Sequence, residues 1–88
     1  MISRIYAIRD VVADALVGGL HLHAHEAAAV RFFSDVASDP QTLVARHIAD
    51  HELVFLGGIQ TDTGLIDSVV PHVVITGQAW AAARVTTE

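Results

Sequence analysis

The chain is 88 residues long, with ten acidic and five basic side chains, a net charge of −5 and no cysteine. Disulfides and thiolate metal sites are thereby excluded, and a dominant, salt-driven grip on phosphates is disfavoured. One domain, residues 1–88, is expected, and a hydrophobic fraction of 52% in so short a chain points to apolar surface covered by another copy or a partner.

The five bases are all arginine (Arg4, Arg9, Arg31, Arg46, Arg84), with no lysine, and six histidines make the surface charge pH-dependent below about pH 6.5. No apolar run reaches the roughly 20 residues of a membrane span. The first residues read as a strand and not as a signal peptide, so a protein soluble inside a cell is expected.

Residues 3–9 alternate as a strand, with Arg4, Tyr6 and Ile8 on one face and Ile5 and Ala7 on the other. A turn over Asp10–Asp14 leads to a second strand through Leu16 and Val17. Gly18-Gly19 marks a bulge, and the strand continues into His21 and His23. The period then changes. Ala29, Phe32, Phe33 and Val36 stand at i, i+3, i+4 and i+7, the apolar stripe of a helix over about 25–37, with Glu26 in its first turn. Asp39-Pro40 ends it.

Residues 41–51 fit either a short helix or an irregular packed segment. Glu52–Ile66 reads as a buried strand, a turn on Asp62-Thr63-Gly64 and a returning strand. Leu53, Phe55 and Ile59 fall on one face, Val54 and Leu56 on the other, which places this strand inside the sheet. The return strand is expected to stop at Pro71, with a further strand-like piece to Thr76. Gly77 then interrupts, and a tail carries Trp80. The fold class is α+β: a small antiparallel sheet of two hairpins with one main helix packed on it, β-β-α-β-β plus a C-terminal extension.

Four constellations carry chemistry on paper. Asp62-Thr63-Gly64 shares its letters with dimeric aspartic proteases, whose paired carboxylates share a proton. Here Gln60-Thr61 and Leu65-Ile66-Asp67 flank it, and turn chemistry explains it better. His21, His23 and His25 have a spacing that projects imidazoles from one strand face, a metal-ligand pattern that a solvated edge strand leading into a helix explains better. His47 and His51 have the i, i+4 spacing of ligands on a helix. For nucleic acid, Arg4, Tyr6, Arg9 and Arg31 supply guanidinium groups and one aromatic for stacking. No phosphate loop, Ser/His/Asp set or carboxylate pair is present, so no enzyme and no cofactor are expected.

The ordered set Ile5-Tyr6-Ala7-Ile8-Arg9-Asp10, Ala29-Val30-Arg31 with Phe33, Ala49–Leu53 with Leu56-Gly57, and Asp62–Ile66 resembles the small nonstructural protein of gokushovirus-type microviruses, their fifth open reading frame product. The resemblance implies a phage accessory protein of the host bacterial cytoplasm, or of the virion. It implies service in single-stranded viral DNA synthesis or genome packaging. A self-associating protein that binds single-stranded DNA is one reading. The other is a protein that contacts viral capsid or replication proteins without binding DNA. His51 stands where that family commonly has an aromatic, and the absence of lysine weakens the DNA-binding reading.

Overall fold

The computed structural model describes residues 1–86. Strand β1 (Ile2–Asp10) turns into β2 (Ala15–His23) through a loop that Asp10 closes: its Oδ1 accepts from the backbone N–H of Val12 at 3.0 Å and of Ala13 at 3.1 Å. Helix α1 spans Glu26–Ser38, a short helix α2 spans Leu43–Arg46, and a 3-10 turn spans Ile48–Asp50. Strand β3 (His51–Gln60), strand β4 (Ile66–Thr76) and helix α3 (Gly77–Thr86) follow. The sheet is antiparallel throughout, in the order β2-β1-β3-β4. The two expected hairpins are therefore joined through β1 and β3, and β3 is an inner strand as its two-sided apolar pattern requires.

Tyr6, Ile8 and Leu53 from the sheet meet Ala29, Phe33 and Ala37 from α1 and Val44 from α2 in the main core. Within the expected helical stripe, Ala29 and Phe33 are buried, while Phe32 and Val36 are half-buried at its margin. Asp39 closes α1, its N–H reaching Val36 O. Thr42 then starts α2 by accepting from Ala45 N at 3.1 Å.

Two readings of the second hairpin need correction. The alternation in β3 breaks at a bulge, because Tyr6 pairs with Phe55 but Ile5 pairs with Gly57. Leu53 and Phe55 face the helices, whereas Ile59, beyond the bulge and paired with Ser3, falls on the opposite face. Gly57 makes this possible: its φ is +140°, and a Cβ there would lie 2.2 Å from Asp67 O. Nor does Pro71 end the return strand. It sits in β4 where Ser68 pairs with Gly57 and His72 with Phe55, so three residues oppose Leu56 alone. Because β4 is an edge strand and the site is bulged, the missing N–H of proline costs no ladder bond.

The tail is helical. Thr76 Oγ1 accepts from Ala79 N at 3.1 Å at its start, and Trp80 Nε1 donates to Ser34 Oγ at 3.0 Å. Gly77 lies against the 3-10 turn so closely that a Cβ would stand 1.7 Å from Ile48 O.

Candidate functional site

The sheet has two unlike faces. All three α-helices and the main core lie on the side of Tyr6, Ile8 and Leu53. The opposite side carries Ile5, Ala7 and Val54, which are buried yet stand outside the helix-side cluster. Leu16, Leu22 and Val73 flank them, paired across the ladder with Arg9, Ile5 and Val54, and remain 45%, 51% and 42% exposed. Between Leu16 and Val73 runs a trough of about 430 Å³, lined also by Arg9, Glu52, Val54 and Leu56 among others. Arg9 is the one cation among its described lining residues. Its guanidinium meets Asp14 and, at 3.6 Å, the Glu52 carboxylate. The bond to Asp14 above all, with Glu52 adding, holds Arg9 above its ordinary pKa.

The structure disperses the four residues proposed for nucleic acid. Tyr6 is fully buried on the helix side, its ring between His23 and Phe55. Arg4 shares that side. Its Nε donates to the Tyr6 hydroxyl at 2.6 Å, its guanidinium lies 4.4 Å from the centre of the Phe55 ring, and Glu26 stands 3.6 Å away. The Tyr6 bond raises the Arg4 pKa against a smaller desolvation effect. Arg9 points into the trough on the other face. Only Arg31, exposed on α1, keeps an open aspect. Tyr6 is thus a core side chain, on the face of the sheet that the helices cover.

The histidines part company as well. His21 and His23 do share the helix-side face, where the His21 ring packs 4.2 Å from Phe32 and the His23 ring 5.7 Å from it. The Nε2 atom of His23 is buried without a hydrogen-bond partner. His25 has left the strand to occupy the cap of α1. Among the described residues no group of three His, Asp or Glu side chains could hold a metal ion. His47 and His51 flank the 3-10 turn and do not share a helix face. Buried His51, 4% exposed, directs Nδ1 to His47 O at 2.8 Å and Nε2 toward Asp10 Oδ2 at 3.8 Å. Because a carbonyl only accepts, Nδ1 carries a proton. This pair sits at the end of a cavity of about 320 Å³ between the first hairpin and α1, walled by Val17, Phe32, Val36 and Val44.

Asp62 occupies the tip of the second hairpin, 69% exposed, with its carboxylate 3.4 Å from the N-terminal ammonium. Thr63, and not Asp62, braces the turn, its Oγ1 accepting from Leu65 N at 3.3 Å. Gly64 supplies the positive φ of 80°. These are turn surroundings, unlike the buried, proton-sharing pair of an aspartic protease.

A family model described as Phage ORF5 protein matches residues 3–80. The chain belongs to that family. It is a phage protein, and the match spans all four strands, α1 and the start of α3. No curated protein and no solved structure matches it. Among the described residues of this Phage ORF5 protein, no helix is long and apolar enough to cross a membrane.

Sequence reasoning missed the open face and the Asp10–His51 pair. The first had a signal: Ile5 and Ala7 alternate with Tyr6 and Ile8, so both sides of β1 are apolar although one main helix covers only one. The second had none, because the two residues meet only through the β1–β3 register.

Proposed function

We propose that this Phage ORF5 protein is a non-catalytic accessory of infection in the host cytoplasm that acts through protein contacts made by the uncovered face of its sheet. One observation carries the reading: a concave, largely apolar face whose single cation already meets Asp14 and Glu52. Apolar surface of this kind marks protein association, and its carboxylates repel phosphate. The resemblance to gokushovirus-type microviruses supports a role for these contacts in single-stranded DNA synthesis or genome packaging, with procapsid or replication proteins as the proposed partners. In the test, tagged protein is purified during infection, and co-purification with procapsids or the replication proteins is expected. Absence from both would sink the proposal.

The second reading, direct binding of single-stranded DNA, rests on exposed Arg31 and on the same resemblance. A chain of net charge −5 with one open candidate guanidinium predicts weak binding that disappears at moderate salt. Titration with single-stranded DNA at low and at moderate salt separates the readings. Tight binding that survives moderate salt would favour DNA over protein as the primary partner.

A further inference from the structure

We propose that the cavity between the first hairpin and α1 binds a small molecule with a primary ammonium head and a single-ring apolar body. The cavity lies on the helix side of the sheet, away from the trough. The inference therefore goes beyond the protein-contact reading and does not rest on it.

The head is selected by two acceptors that face each other. Asp10 and His51 are ladder partners of β1 and β3, and both line the cavity. Asp10 Oδ1 is taken by the turn, where it accepts from the Val12 and Ala13 N–H groups, so Oδ2 is the open acceptor. His51 is 4% exposed, and its Nδ1 proton goes to His47 O at 2.8 Å. In the neutral ring Nε2 can then only accept. Oδ2 and Nε2 stand 3.8 Å apart, and among the described residues neither has a hydrogen-bond donor. Two acceptors side by side, one of them on a buried ring, are costly until a donor group reaches both. An ammonium nitrogen about 2.9 Å from each fits that gap, using two of its three N–H bonds.

The charge of the cavity favours a cation. Asp10 is the one carboxylate among the described lining residues, and no arginine stands with it. A hydrogen bond to an ionised head is the stronger kind, and an anion would meet Asp10 first. His21, the other imidazole on the wall, packs its ring 4.2 Å from Phe32.

The body follows from the walls. Beyond the acceptor pair they are apolar: Val17 from β2, Phe32 and Val36 from α1, and Val44 from α2. Phe32 and Val36, at the margin of the helical stripe, are half-buried because they border this space. Its volume of about 320 Å³ is at the small end of the roughly 300–1,000 Å³ of ligand sites. One ring on a short arm fits there, and a polymer does not.

The test is calorimetric titration of the purified full-length chain with phenethylamine at about pH 8, where ordinary imidazoles are neutral. Binding is expected. Phenethyl alcohol and phenylpropionate keep the ring and change the head, and each should bind weaker by about tenfold or more. Butylamine keeps the head without the ring and should also bind more weakly. Asp10→Asn is the decisive variant, because its Oδ1 still holds the turn while its Nδ2 sets a donor opposite His51 Nε2. It should weaken amine binding by about tenfold or more and melt no lower than the parent. Val36→Phe, which fills the cavity from α1 without touching either acceptor, should abolish binding. Val17→Leu repeats that test from β2 should Val36→Phe fail to fold. No binding of phenethylamine by the parent would overturn the inference, as would equal binding of the three heads or parent-like binding by Asp10→Asn. None of these results bears on capture of procapsid or replication proteins, so that reading stands or falls by its own experiment.

Discussion

Trp80 Nε1 donates a hydrogen bond to Ser34 Oγ at 3.0 Å, and this contact joins the last helix to α1, 46 residues earlier in the chain. Arg84 also reaches Ser34 and lies 4.6 Å from the centre of the Trp80 ring. The indole therefore does more than fill space, and its two contributions separate experimentally. Trp80→Phe keeps most of the packing and loses the N–H. It should cost about 1 kcal/mol, a fall of roughly 4–8 °C in melting temperature for a domain this size. Trp80→Ala removes the packing too and should fall further. Equal midpoints for Trp80→Phe and the parent would show that the bond contributes nothing.

Gly77 and Gly64 make a matched pair of glycine tests. Gly64 has φ +80° with open space where a Cβ would be, so Gly64→Ala meets only the left-handed backbone penalty of about 1–2 kcal/mol. At Gly77 the obstacle is contact: the Cβ of Gly77→Ala would fall 1.7 Å from Ile48 O and 2.8 Å from His51 O. The start of α3 must move off the 3-10 turn, and the Trp80 bond is strained with it. Gly77→Ala should lose more stability in urea than Gly64→Ala, and its tryptophan fluorescence should shift to the red. The reverse order would mean that α3 is not held against that turn.

Most of the architecture was legible in the residues. Period-two runs marked β1 and β3, turn signals led from them to β2 and β4, and the stripe of Ala29, Phe32, Phe33 and Val36 marked α1. The misreadings share a cause, because bulges change which way side chains point without changing any residue letter. Gly57 moves Ile59 to the other face, and Pro71 looked like a stop because its edge position is a property of the sheet and not of the strand. The four residues of the candidate arginine site lie apart for a related reason. Alternation correctly grouped Arg4, Tyr6 and Ile8, but only the packed structure tells which of two apolar faces the single long helix covers. Since both sides of β1 are apolar, the pattern left that choice open.

Asp62 gives a prediction in which little should happen. Its carboxylate sits in water at the hairpin tip with the terminal ammonium 3.4 Å away, and exposed ion pairs of this kind contribute little. Asp62→Asn should melt within about 2 °C of the parent. Neither protein should cleave an unfolded substrate protein in mildly acidic buffer. Cleavage by the parent that Asp62→Asn abolishes would revive the protease reading and displace the proposed function.

Tyr6 offers the clearest choice between a structural and a binding role. Its ring is fully buried among His23, Phe55 and the α1 core, and its hydroxyl accepts from Arg4 Nε at 2.6 Å. Tyr6→Phe removes only that acceptor. It should cost about 0.5–1.5 kcal/mol, or somewhat more because the donor is charged. Tyr6→Ala also removes the ring from a closely packed site and should cost about 3–5 kcal/mol, the range for large aromatics cut to alanine. Urea denaturation reads both. The discriminating measurement is affinity for single-stranded DNA. If Tyr6 is core and not a stacking platform, Tyr6→Leu, which removes the aromatic face, leaves the affinity of the folded protein unchanged, and Arg31→Ala weakens whatever low-salt binding exists. A Tyr6 variant with native stability and a many-fold loss of DNA affinity would require the ring to leave the core on binding, and would return the first strand to the centre of the functional argument.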